Sequence, residues 1–564
     1  MKTKIILSLA TIFLLVAVFT NSNLMDKKIE FPPKAAMNVV KCSSTNFLLS
    51  EIDSTKQISP LFENLGNHVF EIDTKDKNSQ IYFNQGLNLA FAFNHPESHR
   101  SFMEASRLDP EAAMTYWGQA YVLGPNINDQ IPSTERRLKS YEAVKKAKSL
   151  VSKSNPKERD LIAALSERYS KDTLADIKEL NMAYMYAMKK VARKYPEDAD
   201  VQTLFAASVM NTVPWDYWDK NGKPSPNIKG AKLALEKAME INYNHPGAHH
   251  YYIHMVELPK PDMGVASAEK LATLMPGAGH LVHMPGHIYM RVGRYKDAVN
   301  ANHAAILVDE DYISQCYAQG TYPLGYYPHN IHFLWSAASM LGDSETAIDA
   351  AKKTADKVPL GELEGSAFLQ NFASTPLLAY ARFGKWNEIL TTPDPGDRYT
   401  YMKLIWHYSR GLAFVRKHNI KEAQEELEFL ASRDKDLDQE KVAKVAYEVL
   451  AGEIASEKGN IKNAIEHLQK AVVYEDALPY DEPAVWYIPT RQSLGAVLLK
   501  ARKYEEAEKV YLEDLDYYRQ NGWSLMGLYQ SLLNQGKINE ADKIKQAFDI
   551  AWSDADIEIK SSVL

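Results

Sequence analysis

Seven histidines lie close enough in sequence to serve one metal centre: His250, His254, His280, His283, His287, His329 and His332. Neutral imidazole is the commonest metal ligand near neutral pH. An i, i+4 pair on a helix can hold one ion from a single side, and His250/His254 and His283/His287 have that spacing. Seven imidazoles exceed one tetrahedral shell, so the pattern implies two ions, or one ion with the spare histidines contacting substrate. Zn, Cu and Fe all suit such ligands. An ion with an open position would polarise a substrate, or activate water or dioxygen, which leaves hydrolysis and oxidation both open. Glu257 is the carboxylate beside the set, as a further ligand or a catalytic base. His250-Tyr-Tyr-Ile-His254 is not a zincin motif, because no glutamate follows the first histidine. There is no phosphate-binding glycine loop and no nucleophile elbow.

The elements that must position these residues are helical. From about residue 79 the apolar pattern has a helical period, with small residues recurring at a ~34-residue interval. The clearest unit starts at Gly279, with Gly286, Gly293, Ala298 and Ala305 in register; others start at Pro328, Val445, Ile488 and Gly522. These units resemble tetratricopeptide repeats. The resemblance implies an all-α tetratricopeptide-repeat solenoid, a right-handed superhelix of helical hairpins with a concave groove. Each hairpin would bury its apolar stripe only against its neighbours. In that family the first helix of each repeat lines the groove, and the phase puts all seven histidines and Glu257 there. His249 falls on a packing position and His303 on a second helix, outside the cluster. His283, in the middle helix, is expected to share an ion with either side. Pro285 inside that helix should kink it. Two insertions, 214–227 and 309–327, break the rhythm and are rich in Trp and Tyr. Insertions in such arrays often map to the binding face.

The chain divides by pattern into residues 1–25 as a signal peptide or anchor and 26–78 as a poorly patterned lead-in. Helical repeats follow at 79–245, the His-rich repeats at 246–345 and C-terminal repeats at 346–564. Lys2 and Lys4 before the apolar run 5–20 read as an export signal, so a periplasmic or extracellular location is expected. Membrane contact is expected only through an uncleaved N-terminal anchor. Cys42 and Cys316 are the only cysteines; export permits their pairing without requiring it. A net charge of −7 shows no basic excess, so no nucleic-acid partner is expected.

Weaker candidates for a groove contact are Trp117, Tyr327, Glu482, Trp486 and Arg491, each weighed against ordinary packing between helices. The run Gly279-His-Leu-Val-His-Met-Pro-Gly-His-Ile288 resembles a group of exported bacterial tetratricopeptide proteins. So do Phe93-Asn94-His95, Tyr116-Trp117-Gly118, Gly124-Pro125-Asn126-Ile127-Asn128 and the Tyr480–Gly495 stretch. That resemblance implies one functional unit and supplies no reaction. Two readings follow. One is an exported metalloprotein with a His-lined mono- or dinuclear transition-metal site acting on a small molecule or peptide. The other is a protein- or peptide-binding scaffold whose histidines only tune its groove.

Overall fold

The structure, a computed structural model, describes residues 56–219, 221–316, 322–432 and 440–564. The export segment, Cys42 and residues 317–321 of the second insertion lie outside them. The described residues form an all-α solenoid of antiparallel helical hairpins. Among them only isolated bridges, such as Trp218 with Pro224, break the helical pattern. No described helix is long and apolar enough to cross a membrane.

The sequence-phased units are hairpins. Gly279–His283 and Pro285–Val292 pair with Tyr295–Cys316, and Tyr327–Leu341 pairs with Ser344–Asp356. Gly293 ends its helix at φ +82°, a left-handed cap that an L side chain rarely adopts. The assignment of the histidine-bearing helix is interrupted at one residue, Met284, directly before Pro285, and the backbone there stays helical (φ −52°, ψ −35°). The second insertion differs from expectation. Its first part continues a helix to Cys316, and Tyr322–Tyr326 form one π turn leading into the next helix.

Part of the lead-in is ordered by polar pins. Residues 58–72 run across the first hairpin, where Ile58 N–H donates to Glu104 (2.9 Å), Phe62 N–H to Gln85 (2.9 Å) and Phe70 N–H to Asn84 (3.1 Å). Phe70 and Ile72 are buried beneath it.

The groove is not open along its length. C-terminal repeats curl back onto the His-rich ones. Tyr295 Oη donates to Arg519 O (2.9 Å), Trp523 Nε1 to Ser339 O (3.0 Å), and Arg519 pairs with Asp262 (2.7 Å). Apolar burial then runs almost continuously from Leu65 to Ile559. Helices expected to face an open groove are therefore enclosed.

Candidate metal centre

Six of the seven histidines gather into two adjoining triads. His250, His254 and His280 form the first, and His283, His287 and His329 the second. Within each, the ligand-capable atoms lie within 4.8 Å of one another. The middle helix is divided between them: His280 goes to the first, and His283 and His287 to the second. The triads abut, with the His254 and His287 ring centres 5.6 Å apart. His283 therefore does not bridge the flanking helices as the repeat phase implies. Its Nε2 faces His287 and His329.

Hydrogen-bond chemistry fixes which nitrogen each ring presents. Phe91 O can only accept, so His250 Nδ1, 2.5 Å away, carries the proton. Asn302 donates its amide to Ala298 O (2.7 Å) and turns its oxygen to His283 Nδ1 (2.7 Å). Glu257 serves two rings. Its Oε1 is 3.4 Å from His254 Nδ1, and its Oε2 is 2.9 Å from His287 Nδ1, close but poorly aligned as a hydrogen bond. Three rings, His250, His254 and His283, are thus hydrogen-bonded through Nδ1, which turns Nε2 inward, and His287 faces Glu257 on the same side. That is the orientation in which outer carboxylates, amides and carbonyls hold metal-bound histidines.

The lone pairs converge. His283 Nε2 is 2.9 Å from His287 Nε2 and 3.2 Å from His329 Nε2. Two nitrogens bound to one ion at ~2.0–2.1 Å in tetrahedral geometry are separated by about 3.3 Å. In the first triad, His250 Nε2, His254 Nε2 and both nitrogens of His280 are buried and have no hydrogen-bond partner. Buried polar atoms are nearly always satisfied. A cluster of unsatisfied imidazole nitrogens is what a cation would complete.

Burial, reinforced by neighbouring imidazoles, pushes His250, His280, His283 and His329 well below the usual histidine range, so they are neutral donors. Burial would raise Glu257, but His287 and His254 hold it down to about 2. Burial lowers His287, yet Glu257 more than offsets this and leaves it raised. Glu257 is thus a carboxylate facing two rings, and with His254 and His287 it makes a further group whose ligand-capable atoms lie within 4.8 Å of one another.

His332 does not join. It is buried between Trp335 (4.8 Å) and Phe372 (5.0 Å), with both nitrogens unpartnered, and burial lowers it to about 3. One turn past His329, its ring packs instead toward Phe372 of the next hairpin. His303 is exposed on the second helix of its hairpin, as its phase requires. His249 packs, bonded to Ser267 (3.0 Å) and Tyr243 O (2.8 Å).

The weaker candidates scatter. Trp117 is buried, stacked on Tyr121 at 5.2 Å. Tyr327 gives its hydroxyl to Glu310 (2.7 Å). Trp486 packs on Tyr408 at 5.0 Å, and Arg491 forks onto Asp476 at 2.8 Å. Only Glu482 reaches the centre's field. Burial raises it to about 7 against the opposing charges of Arg291 and His287.

Residues that histidine spacing cannot find make the walls. Phe93 lies 4.5 Å from His250 and stacks on His280 at 5.4 Å; Trp215 stands edge-on to His254 at 5.1 Å. Both are non-glycine residues at positive φ, +57° and +64°. Such backbone persists where surrounding structure enforces it, often at functional sites. Tyr326 covers His280 at 4.9 Å and Phe333 covers His283 at 4.8 Å. Trp215 and Tyr326 come from the two insertions, whose aromatic content was the sequence signal. Gly286 lets Asn302 approach, since a Cβ there would meet its Nδ2 at 2.9 Å.

A separate group is His68, Asp200 and His245, in which His245 Nε2 is buried without a well-aligned hydrogen bond. His245 Nδ1 accepts from Ala248 N–H (3.1 Å) at a helix start, which leaves its Nε2–H facing Asp200 at 3.2 Å. His68 Nε2 meets the same oxygen at 2.8 Å.

The fold and the centre define a helical-hairpin repeat protein with a buried polyhistidine cluster. No family model matches the chain, and no curated protein matches it. Solved structures that align with it include the human IFIT1 dimer with m7Gppp-AAAA (14% identity, 85% of this chain and 91% of that one, TM-score 0.31). Others are the APC/C hetero-tetramer Cut9–Hcn1 (12%, 87% and 95%, TM-score 0.28) and yeast Tom70 (11%, 85% and 89%, TM-score 0.20). Alignments this loose carry no inference about ligand or activity.

Proposed function

We propose that this protein is an exported metalloprotein in which each triad holds one transition-metal ion, the pair acting on a small molecule. The observation that supports it is the convergence of the second triad's Nε2 atoms at 2.9 and 3.2 Å. An outer shell faces their Nδ1 sides, which a peptide-tuning histidine would not need. Three imidazoles per ion leave a position open for substrate, water or dioxygen. Imidazole ligands bring no negative charge of their own, so the site favours an ion of low charge or one that brings a bridging hydroxide. Copper meets both conditions, and zinc meets the second. The helical scaffold is itself compatible with the alternative, a protein- or peptide-binding solenoid without metal.

The test is metal analysis of protein purified without a histidine tag and reconstituted separately with Cu, Zn and Fe. The expected result is about two ions per chain for one of these metals. Substantially less than one ion in every case would overturn the reading.

A further inference from the structure

The second insertion joins the first triad to the protein surface through a file of tyrosines. Tyr326 stands edge-on to His280 at 4.9 Å, Tyr322 lies 5.6 Å from Tyr326, and Tyr312 lies 5.1 Å from Tyr322. Tyr312, at the outer end, is half-buried on the helix that ends at Cys316. The three histidines at the inner end are buried. Aromatic rings in such contact exchange electrons readily, so charge can reach an ion in the first triad without a substrate entering. The second triad is covered by Phe333, whose ring is far harder to oxidise.

The middle tyrosine of the file has a base of its own. Tyr322 is buried, and its hydroxyl donates to Asp309 Oδ1 at 2.7 Å. Asp309 is also buried, and its Oδ2 accepts from Asn330 Nδ2 at 2.7 Å. Gly279, which opens the histidine-bearing helix, admits this carboxylate, since a Cβ there would meet Oδ1 at 1.8 Å. Burial raises Asp309 to about 7, against the two hydrogen bonds that lower it. A carboxylate this basic takes up a proton far more readily than one in water. A phenol in turn gives up an electron most easily when its proton can leave with it, because no cationic ring is then formed. Tyr326 lacks such a partner, its hydroxyl accepting from Asn128 Nδ2 at 3.2 Å.

We propose that Tyr322 and Asp309 form a proton-coupled one-electron site, which relays electrons between the first triad and the surface at Tyr312. An electron leaves Tyr322 through Tyr326 for an oxidised copper ion in the first triad, which is reduced by one unit. The phenolic O–H bond breaks, its proton passes to Asp309, and a neutral tyrosyl radical remains. An external one-electron donor, oxidised in its turn, restores the phenol by way of Tyr312, and Asp309 returns the proton. The relay rests on the metal reading and selects copper over zinc. The tyrosine–aspartate pair rests on its own geometry.

The two layers separate experimentally. Flash photolysis of tris(bipyridine)ruthenium with persulfate supplies a one-electron oxidant in solution to the full-length protein. In metal-free protein, electron paramagnetic resonance should show a long-lived neutral tyrosyl radical. That radical should be lost in Tyr322→Phe and should decay at least about tenfold faster in Asp309→Asn, which keeps a hydrogen-bond acceptor but takes no proton. In copper(I)-loaded protein the radical should instead decay as copper(II) appears. Tyr326→Phe should slow that appearance at least about tenfold with metal content unchanged. No long-lived radical in wild type, one that survives Tyr322→Phe, or copper(II) forming at the wild-type rate in Tyr326→Phe would each overturn the proposal. If Asp309→Asn does not fold, the Tyr322→Phe and Tyr326→Phe measurements decide. Wild type that forms the Tyr322 radical but retains no copper would sink the metal reading and the relay with it, and leave the tyrosine–aspartate pair standing.

Discussion

Histidines in the C-terminal repeats and histidines in the central ones sit on the same kind of hairpin and end in opposite states. His407 pairs with Glu426, His467 with Glu448 at 2.5 Å and His418 with Glu457 at 2.6 Å. Each C-terminal imidazole thus meets a carboxylate, Glu426 being shared with Arg410, and only His407 Nε2 among them is buried without a partner. In the centre Glu257 is shared between two rings, and the remaining nitrogens face one another or have no partner. Pairing with a carboxylate completes a histidine as part of the fold. Crowding imidazoles together leaves lone pairs that only a proton or a cation can satisfy. The difference lies in what packs opposite each ring, not in residue type or repeat position.

Several measurements can break or sharpen that contrast, and the largest effect is expected within the triads. His283→Ala removes the nitrogen that meets both His287 and His329, so the second ion should be lost and metal content should fall from about two to about one. His280→Ala should strip the first triad instead. If either variant keeps both ions, the triad assignment is wrong. His407→Ala should leave metal content unchanged.

Metal removal comes next. An ion bound only by the folded state stabilises it by about 4 kcal/mol when free metal exceeds its Kd a thousandfold. Chelation should therefore lower the melting temperature by several degrees. A His283→Ala/His280→Ala double variant should show no such drop. Equal drops in wild type and the double variant would mean that the chelator acts elsewhere.

The outer shell should matter less than the ligands. Asn302→Leu leaves His283 Nδ1 without its acceptor and frees the ring's orientation. Affinity at the second triad is expected to fall about 10–100-fold, with little change at the first. Equal loss at both triads, read by stepwise metal titration, would point to a general packing defect.

The metal-free protein should also be acid-sensitive. Burial first, and neighbouring imidazoles second, hold His250, His280, His283 and His329 well below 6.5 in the fold. Their contribution to stability is fully present above pH 6.5. It is lost as pH falls, because the unfolded chain takes up protons first. His287, raised by Glu257 against burial, runs the other way: its contribution is present below 6.5 and fades as pH rises through its raised value. Four such groups outweigh one, so the melting temperature should fall between pH 7 and 5. A flat profile would mean that the cluster is more hydrated than its burial indicates.

The smallest effect is expected at His332. His332→Phe keeps an aromatic ring between Trp335 and Phe372, removes two unpartnered nitrogens and should leave metal content intact. A near-isosteric swap of this kind should change stability by less than about 1.5 kcal/mol. Loss of metal would restore His332 to the centre and show that its ring turns toward the second triad.

Most of the fold was legible because small residues at a fixed interval leave few alternatives to stacked hairpins. Gly286 and Gly293 sit where close approach and a left-handed turn require them. The site was legible as far as helix phase reaches. Spacing along one helix sets which side chains share a face, and it gathered the six histidines of the two triads with one extra, His332. It could not say that His280 and His283, one turn apart, serve different triads, because that depends on which neighbouring helix packs against each ring. Nor could it find Asn302 or Phe93, whose roles depend on contacts 19 and 157 residues away in sequence.

The sequence by itself determined the helical repeat, the helices that carry the histidines and the insertions that bear aromatic residues. These follow from local periodicity and backbone preference, which act over one or two turns. Tertiary structure alone decided that the helices are enclosed and that Phe91 O, Asn302 and Glu257 stand behind the rings. Those outcomes depend on how far the solenoid curls back on itself. That curvature is the accumulated result of many small packing angles between hairpins, which no single repeat encodes.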